Sequence, residues 1–173
     1  LDISRHSVIT LQSDIEYDFK LPVIKDLSTE NKMYFRPSTG GVVLVGTGDH
    51  GDPIHHADMI TEEITDDFIV KQGNQISNRM PSFADAKITD RWVGAYDITP
   101  DWNPVLGEPD GWEGLILAYG FSGHGFKMAP AVGKMLAQKA IGAESDIDIS
   151  PYRYSRFKED SLLSGSYGIG SIS

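Results

Sequence analysis

A chain of 173 residues, 40% hydrophobic and 23% charged, is long enough to bury a core and too apolar for a disordered tail. Its 15 Lys and Arg against 25 Asp and Glu leave a net charge of −10, which argues against nucleic-acid phosphates and anionic membrane surfaces as partners. Cysteine is absent, which excludes disulfides, thiolate zinc sites, a catalytic thiol and a cysteine-linked cofactor within this chain. No apolar run approaches the ~20 residues that span a bilayer, and no signal peptide is visible, so the expected location is cytoplasmic.

In chain order, Ser7 to Leu11 is rich in β-branched residues and reads as a strand. Pro22 and Asp26 mark a loop, and Lys32 to Arg36 reads as a second strand. The turn residues Pro37 to Gly41 separate it from a third strand, Val42 to Val45, so an antiparallel hairpin is expected. A polar stretch from Gly48 to Ala57 carries three His. Ile60 to Ile76 places Ile60, Ile64, Phe68 and Ile69 at helical spacing with acids near the start, which predicts an amphipathic helix that Gly73 ends or bends. Lys87 to Thr99 reads as a long strand broken at Gly94, and Pro100 to Gly114 as a loop.

Leu115 to Tyr119 is wholly apolar, the pattern of a short strand buried on both faces. A glycine turn follows, then a small-residue helix over Met128 to Ile141, with Pro130 in its first turn and Gly142 at its C-terminal cap. The last 30 or so residues read as surface, ending in a Gly/Ser-rich tail. The expected class is α+β, a mainly antiparallel or mixed sheet flanked by helices.

The strand, glycine turn and helix around residues 115–141 form the pattern of an anion cradle. Gly120, Gly123 and Gly125 let the backbone turn sharply and approach a ligand. The free N–H groups of the following helix then face that ligand with partial positive charge. Lys127 in the first helical turn opposes the helix dipole, a placement that makes sense if an anion faces it. The residues alone equally allow a turn that only packs helix on strand, with Lys127 solvated. A P-loop is excluded because Phe126 separates Gly125 from Lys127 and Met128 follows, and no G-x-G-x-x-G fingerprint occurs.

Gly120-Phe-Ser-Gly-His-Gly-Phe-Lys-Met-Ala-Pro-Ala-Val-Gly133 resembles the C-terminal flavin loop of FAD-dependent amine and amino-acid oxidoreductases of the D-amino-acid-oxidase superfamily, in the branch of sarcosine oxidases and dye-linked L-proline dehydrogenases. Tyr34-Phe-Arg-Pro-Ser-Thr-Gly-Gly-Val-Val-Leu-Val-Gly46 resembles the substrate-domain hairpin of that family. Trp92-Val-Gly-Ala-Tyr-Asp-Ile-Thr-Pro-Asp-Trp-Asn-Pro104 resembles its strand and Thr-Pro-Asp turn. The family carries its ADP-binding fingerprint near the N-terminus, so the resemblance implies that this chain is the C-terminal part of such an enzyme. It implies a substrate-binding sheet domain over residues 1–114, the last strand, loop and helix of the FAD domain over 115–142, and a tail over 143–173.

By the same resemblance, Gly123, His124, Gly125, Phe126 and Lys127 run beside the flavin pyrimidine edge, and Lys127 also helps hold the substrate carboxylate. Tyr34 matches a substrate-pocket tyrosine, and Tyr96 stands where glycine and D-amino-acid oxidases carry a carboxylate-clamping arginine. Leu44 replaces the hairpin lysine that promotes reaction with oxygen, and Gly94 lies near a cysteine that links flavin covalently in some relatives. These departures imply a dehydrogenase acting on a sarcosine- or proline-like amine by hydride transfer to flavin N5, with an electron carrier or further subunits as partners. The contrasting expectation is a module that binds flavin or a partner without turnover.

Two further patterns are weaker. His50, His55 and His56 among Asp49, Asp52 and Asp58 contain metal-binding residue types without a recognised spacing, and a solvated loop is the simpler reading. Asp97, Thr99, Asp101, Asn103 and Glu108 fall on a calcium-loop template, but Trp102 occupies the position that demands Gly, so the match reads as coincidence. Trp92, Trp102 and Trp112 read as core or domain-interface residues.

Overall fold

The computed structural model describes residues 1–14, 21–49 and 52–164. Eight strands and two α-helices occur among them: β1 (Asp2–Gln12), β2 (Ile24–Lys25), β3 (Tyr34–Pro37), β4 (Val43–Gly46), β5 (Asp52–Ile54), α1 (Asp66–Arg79), β6 (Lys87–Ile98), β7 (Val105–Gly107), β8 (Leu117–Tyr119) and α2 (Gly125–Ala140). The contacts divide the chain into two compact units, Ser4–Ala95 and Leu1–Ile3 with Tyr96–Ser173. The division falls inside β6, because residues 96–114 pack with the segment that follows them.

In the first of these units the sheet order is β2-β3-β4-β1-β5, and β6 also pairs with β1. The expected hairpin is present: β3 and β4 are antiparallel, with Phe35 opposite Val45 and Tyr34 opposite Gly46. Ile9 of β1 lies opposite Val45, and Ile24 of β2 opposite Phe35. Ile24, Phe35, Val45 and Ile9 thus form one apolar row across four strands, as the two-residue period of a strand requires. Helix α1 lays Ile76, with Phe68 and Ile69, on this core beside Leu11, Met33, Val43 and Phe83.

Helix α1 starts later than the apolar spacing suggested. Thr65 caps it, its Oγ1 accepting the Phe68 N–H at 3.3 Å, and Asp66 and Asp67 occupy the first turn. Gly73 lies inside the helix, which runs on to Arg79 and stops at Met80, a residue forced into extended geometry by Pro81.

In the other unit β7 and β8 pair antiparallel, Leu106 opposite Ala118. Leu106 packs with Val132 and Met135 of α2, flanked by Phe121, Met128, Ile149 and Tyr152. Three expectations need correction here. Strand β8 is not buried on both faces: Leu117 and Tyr119 are half-buried and Ala118 is exposed, since β7 is its only strand partner among the described residues. Helix α2 begins at Gly125, so Pro130 sits inside it, past the first turn, and cannot donate to the Phe126 carbonyl. The segment after residue 143 is not all surface, because Arg156 is fully buried. No helix among the described residues is long and apolar enough to cross a membrane.

Candidate functional site

The glycine turn is held against the end of β6 by backbone and side chain together. Gly120 N–H donates to Asp97 Oδ2 at 2.6 Å, and Ser122 N–H donates to the Asp97 carbonyl at 3.2 Å. The Ser122 hydroxyl donates to the Gly120 carbonyl at 3.2 Å and accepts the Thr99 N–H at 3.3 Å. His124 N–H closes the turn on the Phe121 carbonyl at 2.8 Å.

Two of the glycines are required twice over. Gly120 has φ +70°, and a Cβ there would lie 2.4 Å from Thr99 Cγ2. Gly123 has φ +86°, and a Cβ there would lie 2.6 Å from the Tyr96 ring. Ser122, at φ +49°, adopts the same left-handed region without being glycine, and its two side-chain hydrogen bonds compensate. Tyr96 thus packs directly beneath the turn, where burial pushes its phenol up from the ordinary value.

The turn delivers the chain into α2 with its positive end open. The N-cap residue is His124, whose buried side chain makes no capping hydrogen bond, and the first turn contains no acid. Among the described residues, the N–H groups of Gly125, Phe126 and Lys127 therefore have no intrahelical or side-chain acceptor at the helix start. Lys127 is exposed and forms no ion pair among the described residues. Phe126 is 98% exposed. Uncapped N–H donors, an exposed Lys127 and no acid in the first turn make a donor set that fits the anionic edge of a reduced flavin.

Tyr96, Gly123, His124, Gly125, Phe126 and Lys127 are thus brought together in one unit. Tyr34 belongs to the other, where its side chain lies over Gly46: a Cβ there would meet the phenolic oxygen at 2.6 Å. Leu44 of the same hairpin is buried. His55 and His56 are exposed, and His50 lies outside the described residues. No group of three or more His, Asp or Glu among the described residues is placed to hold a metal.

Four of the residues read as a calcium-loop coincidence, Asp97, Thr99, Asp101 and Asn103, anchor the turn, while Glu108 pairs with Lys139. Asp101 is fully buried and forms a two-pronged ion pair with Arg156, Nε to Oδ2 at 2.8 Å and Nη2 to Oδ1 at 2.9 Å. It also accepts Thr99 Oγ1–H at 3.2 Å and the N–H groups of Asn103 and Leu163 at 3.1 Å. Burial raises the Asp101 carboxyl, but the hydrogen bonds from Arg156, Leu163 and Asn103 outweigh it, and the net shift is downward. The alternation Asp97, Thr99, Asp101 was the only local signal of this anchor. Arg156, 55 positions further on, offered none.

Comparison with known proteins places these features. The family description "DAO: FAD dependent oxidoreductase" matches residues 3–139. FAD-dependent oxidoreductase domain-containing protein 1 of Bos taurus is 38% identical over 94 residues, which is 53% of this chain and 19% of that protein. N-methyl-L-tryptophan oxidase of Salmonella dublin is 42% identical over 64 residues, 37% of this chain and 17% of that protein. The crystal structure of L-proline dehydrogenase from P. horikoshii superposes with a TM-score of 0.79 at 26% identity, covering 94% of this chain and 41% of that one. The chain thus spans less than half the length of these relatives.

Proposed function

This chain belongs to the FAD dependent oxidoreductase (DAO) family, and from that premise we propose that it is the flavin-facing C-terminal part of an enzyme that oxidises the C–N bond of a secondary amine or imino acid. One observation carries the reading: a glycine turn pinned to β6 opens a helix whose first N–H groups are uncapped, with Lys127 beside them and no acid in that turn. FAD, when bound, supplies the two-electron oxidation of the carbon next to the substrate nitrogen.

In this proposal the N–H groups of Gly125, Phe126 and Lys127 would hold the pyrimidine edge of the flavin and would stabilise negative charge on it. Gly123 and His124 line the same edge, and the exposed Phe126 is covered in the complete protein. The Lys127 ammonium also balances the substrate carboxylate. Tyr34 and Tyr96 are assigned to substrate binding, each within its own unit. The unit Ser4–Ala95 serves substrate binding, and the ADP-binding fingerprint is supplied by an N-terminal portion beyond this chain.

The names of two relatives support the substrate class, since N-methyl-L-tryptophan and L-proline are both secondary amines. Leu44, an apolar residue where oxidases of the resembled branch carry a lysine, favours a dehydrogenase that passes electrons to a carrier. The test is an anaerobic absorption spectrum of the complete protein, followed by sarcosine or L-proline. A flavin band that one of them bleaches is the expected result. A flavin band that neither bleaches places the substrate outside these amines, and absence of a flavin band overturns the cofactor assignment in favour of a module without turnover.

A further inference from the structure

Arg156 uses its guanidinium completely. Besides the two bonds to Asp101, Nη2 donates to the Asn103 carbonyl at 2.8 Å, and Nη1 donates to the carbonyls of Tyr152 at 3.0 Å and Arg153 at 3.1 Å. All five N–H donors are satisfied, a pattern that the three rotatable donors of a lysine cannot reproduce. The Phe157 ring lies 4.1 Å from Arg156 Cζ. Such a pair is weak evidence for stability, because removing two charges from water offsets most of their attraction. What it supplies is a fixed geometry.

That geometry leads to the glycine turn through a short chain of contacts. The Thr99 hydroxyl donates to the Asn103 carbonyl at 2.8 Å and is shared with Asp101 Oδ1 at 3.2 Å, so it is tied both to Asp101 and to a carbonyl that Arg156 also holds. The Thr99 N–H meets Ser122 Oγ, and its methyl lies where a side chain on Gly120 would be. Trp102 at φ +60° and Ser122 at φ +49° are both non-glycine residues in the left-handed region, one at each end of this chain. Strained residues of this kind persist when their surroundings over-determine them. All of these residues lie within one compact unit.

We propose that Arg156 is a positioning residue for the flavin-facing turn, aiming the 125–127 N–H groups and Lys127 at one anion through Asp101, Thr99 and Ser122. The inference rests on the flavin-edge reading given above. It makes no claim that Arg156 touches cofactor or substrate.

The test measures the reduction potential of the flavin in the complete holoprotein by dye equilibration, without turnover, alongside the thermal midpoint. Variants are Arg156→Lys, Ser122→Ala, their combination, and Lys127→Met as a control at the proposed flavin edge. Loosening the turn weakens the preference for reduced over oxidised flavin. A tenfold loss of that preference lowers the potential by about 30 mV for a two-electron couple, and each single variant is expected to lose about that much. The double variant is expected to match one single variant, because both cut the same chain of contacts.

If Arg156→Lys lowers the midpoint but leaves the potential unchanged, the role is structural only and the proposal is overturned. Additive shifts overturn it as well. Should Arg156→Lys not fold, Ser122→Ala decides alone, an unchanged potential being fatal. A potential that moves with Lys127→Met but with neither other variant refutes the positioning role and leaves the flavin-edge reading standing. One that also ignores Lys127→Met removes that reading.

Discussion

Lys127 and Arg156 are both cations, placed in opposite circumstances. Lys127 is exposed at the positive end of α2, without an ion-pair partner among the described residues. In the proposed role its loss removes one charge-assisted contact to an anion. Lys127→Met is expected to lower kcat/KM for the amine by about 10- to 150-fold, as 1.5–3 kcal/mol implies, read by steady-state and single-turnover flavin reduction.

Arg156 is fully buried, and its removal strands a carboxylate. Arg156→Met is expected to cost about 3–5 kcal/mol, measured by urea unfolding. The pair also sets an acid limit. The Asp101 carboxyl is depressed in the folded chain, so its contribution is complete above its ordinary value of 3.8 and is lost as pH falls through the lower folded value. Arg156→Met, which removes the largest of the lowering causes, is expected to flatten the acid limb of stability against pH.

Gln72 presents a different imbalance. It is fully buried in α1, and neither amide atom has a hydrogen-bond partner among the described residues. Gln72→Met keeps the volume and removes two desolvated polar atoms. It is expected to raise stability by about 1 kcal/mol, read as a higher urea midpoint.

At the scale of elements, local rules located the pieces and tertiary contacts trimmed them. Helix α1 follows Thr65 as its cap, although the apolar spacing began at Ile60, because a cap satisfies N–H groups that spacing alone does not. Gly73 did not end the helix, because the apolar face continues to Ile76 on the sheet. An alanine there meets nothing within 4 Å, so Gly73→Ala is expected to gain about 0.8–1 kcal/mol from helix propensity, checked by thermal and urea unfolding. Helix α2 likewise reaches back to Gly125, with Pro130 inside, because the turn pinned by Asp97 presents residues 125–127 already in helical geometry.

At the scale of the whole molecule, the sequence by itself determined the α+β class, the β3–β4 hairpin and the glycine turn opening a helix. It also determined the family, since strand period, turn residues and short motifs are local properties that survive without knowledge of the fold. Tertiary structure alone decided three things. The chain divides within β6, because β7 and β8 pair with each other and carry residues 96–114 with them. Tyr96 lies under Gly123 because the turn folds back on the end of β6. Arg156 reaches Asp101 across 55 positions of sequence. Each depends on contacts between residues distant in the chain, and their loop-closure entropy is offset by burial and hydrogen bonding that no local window contains.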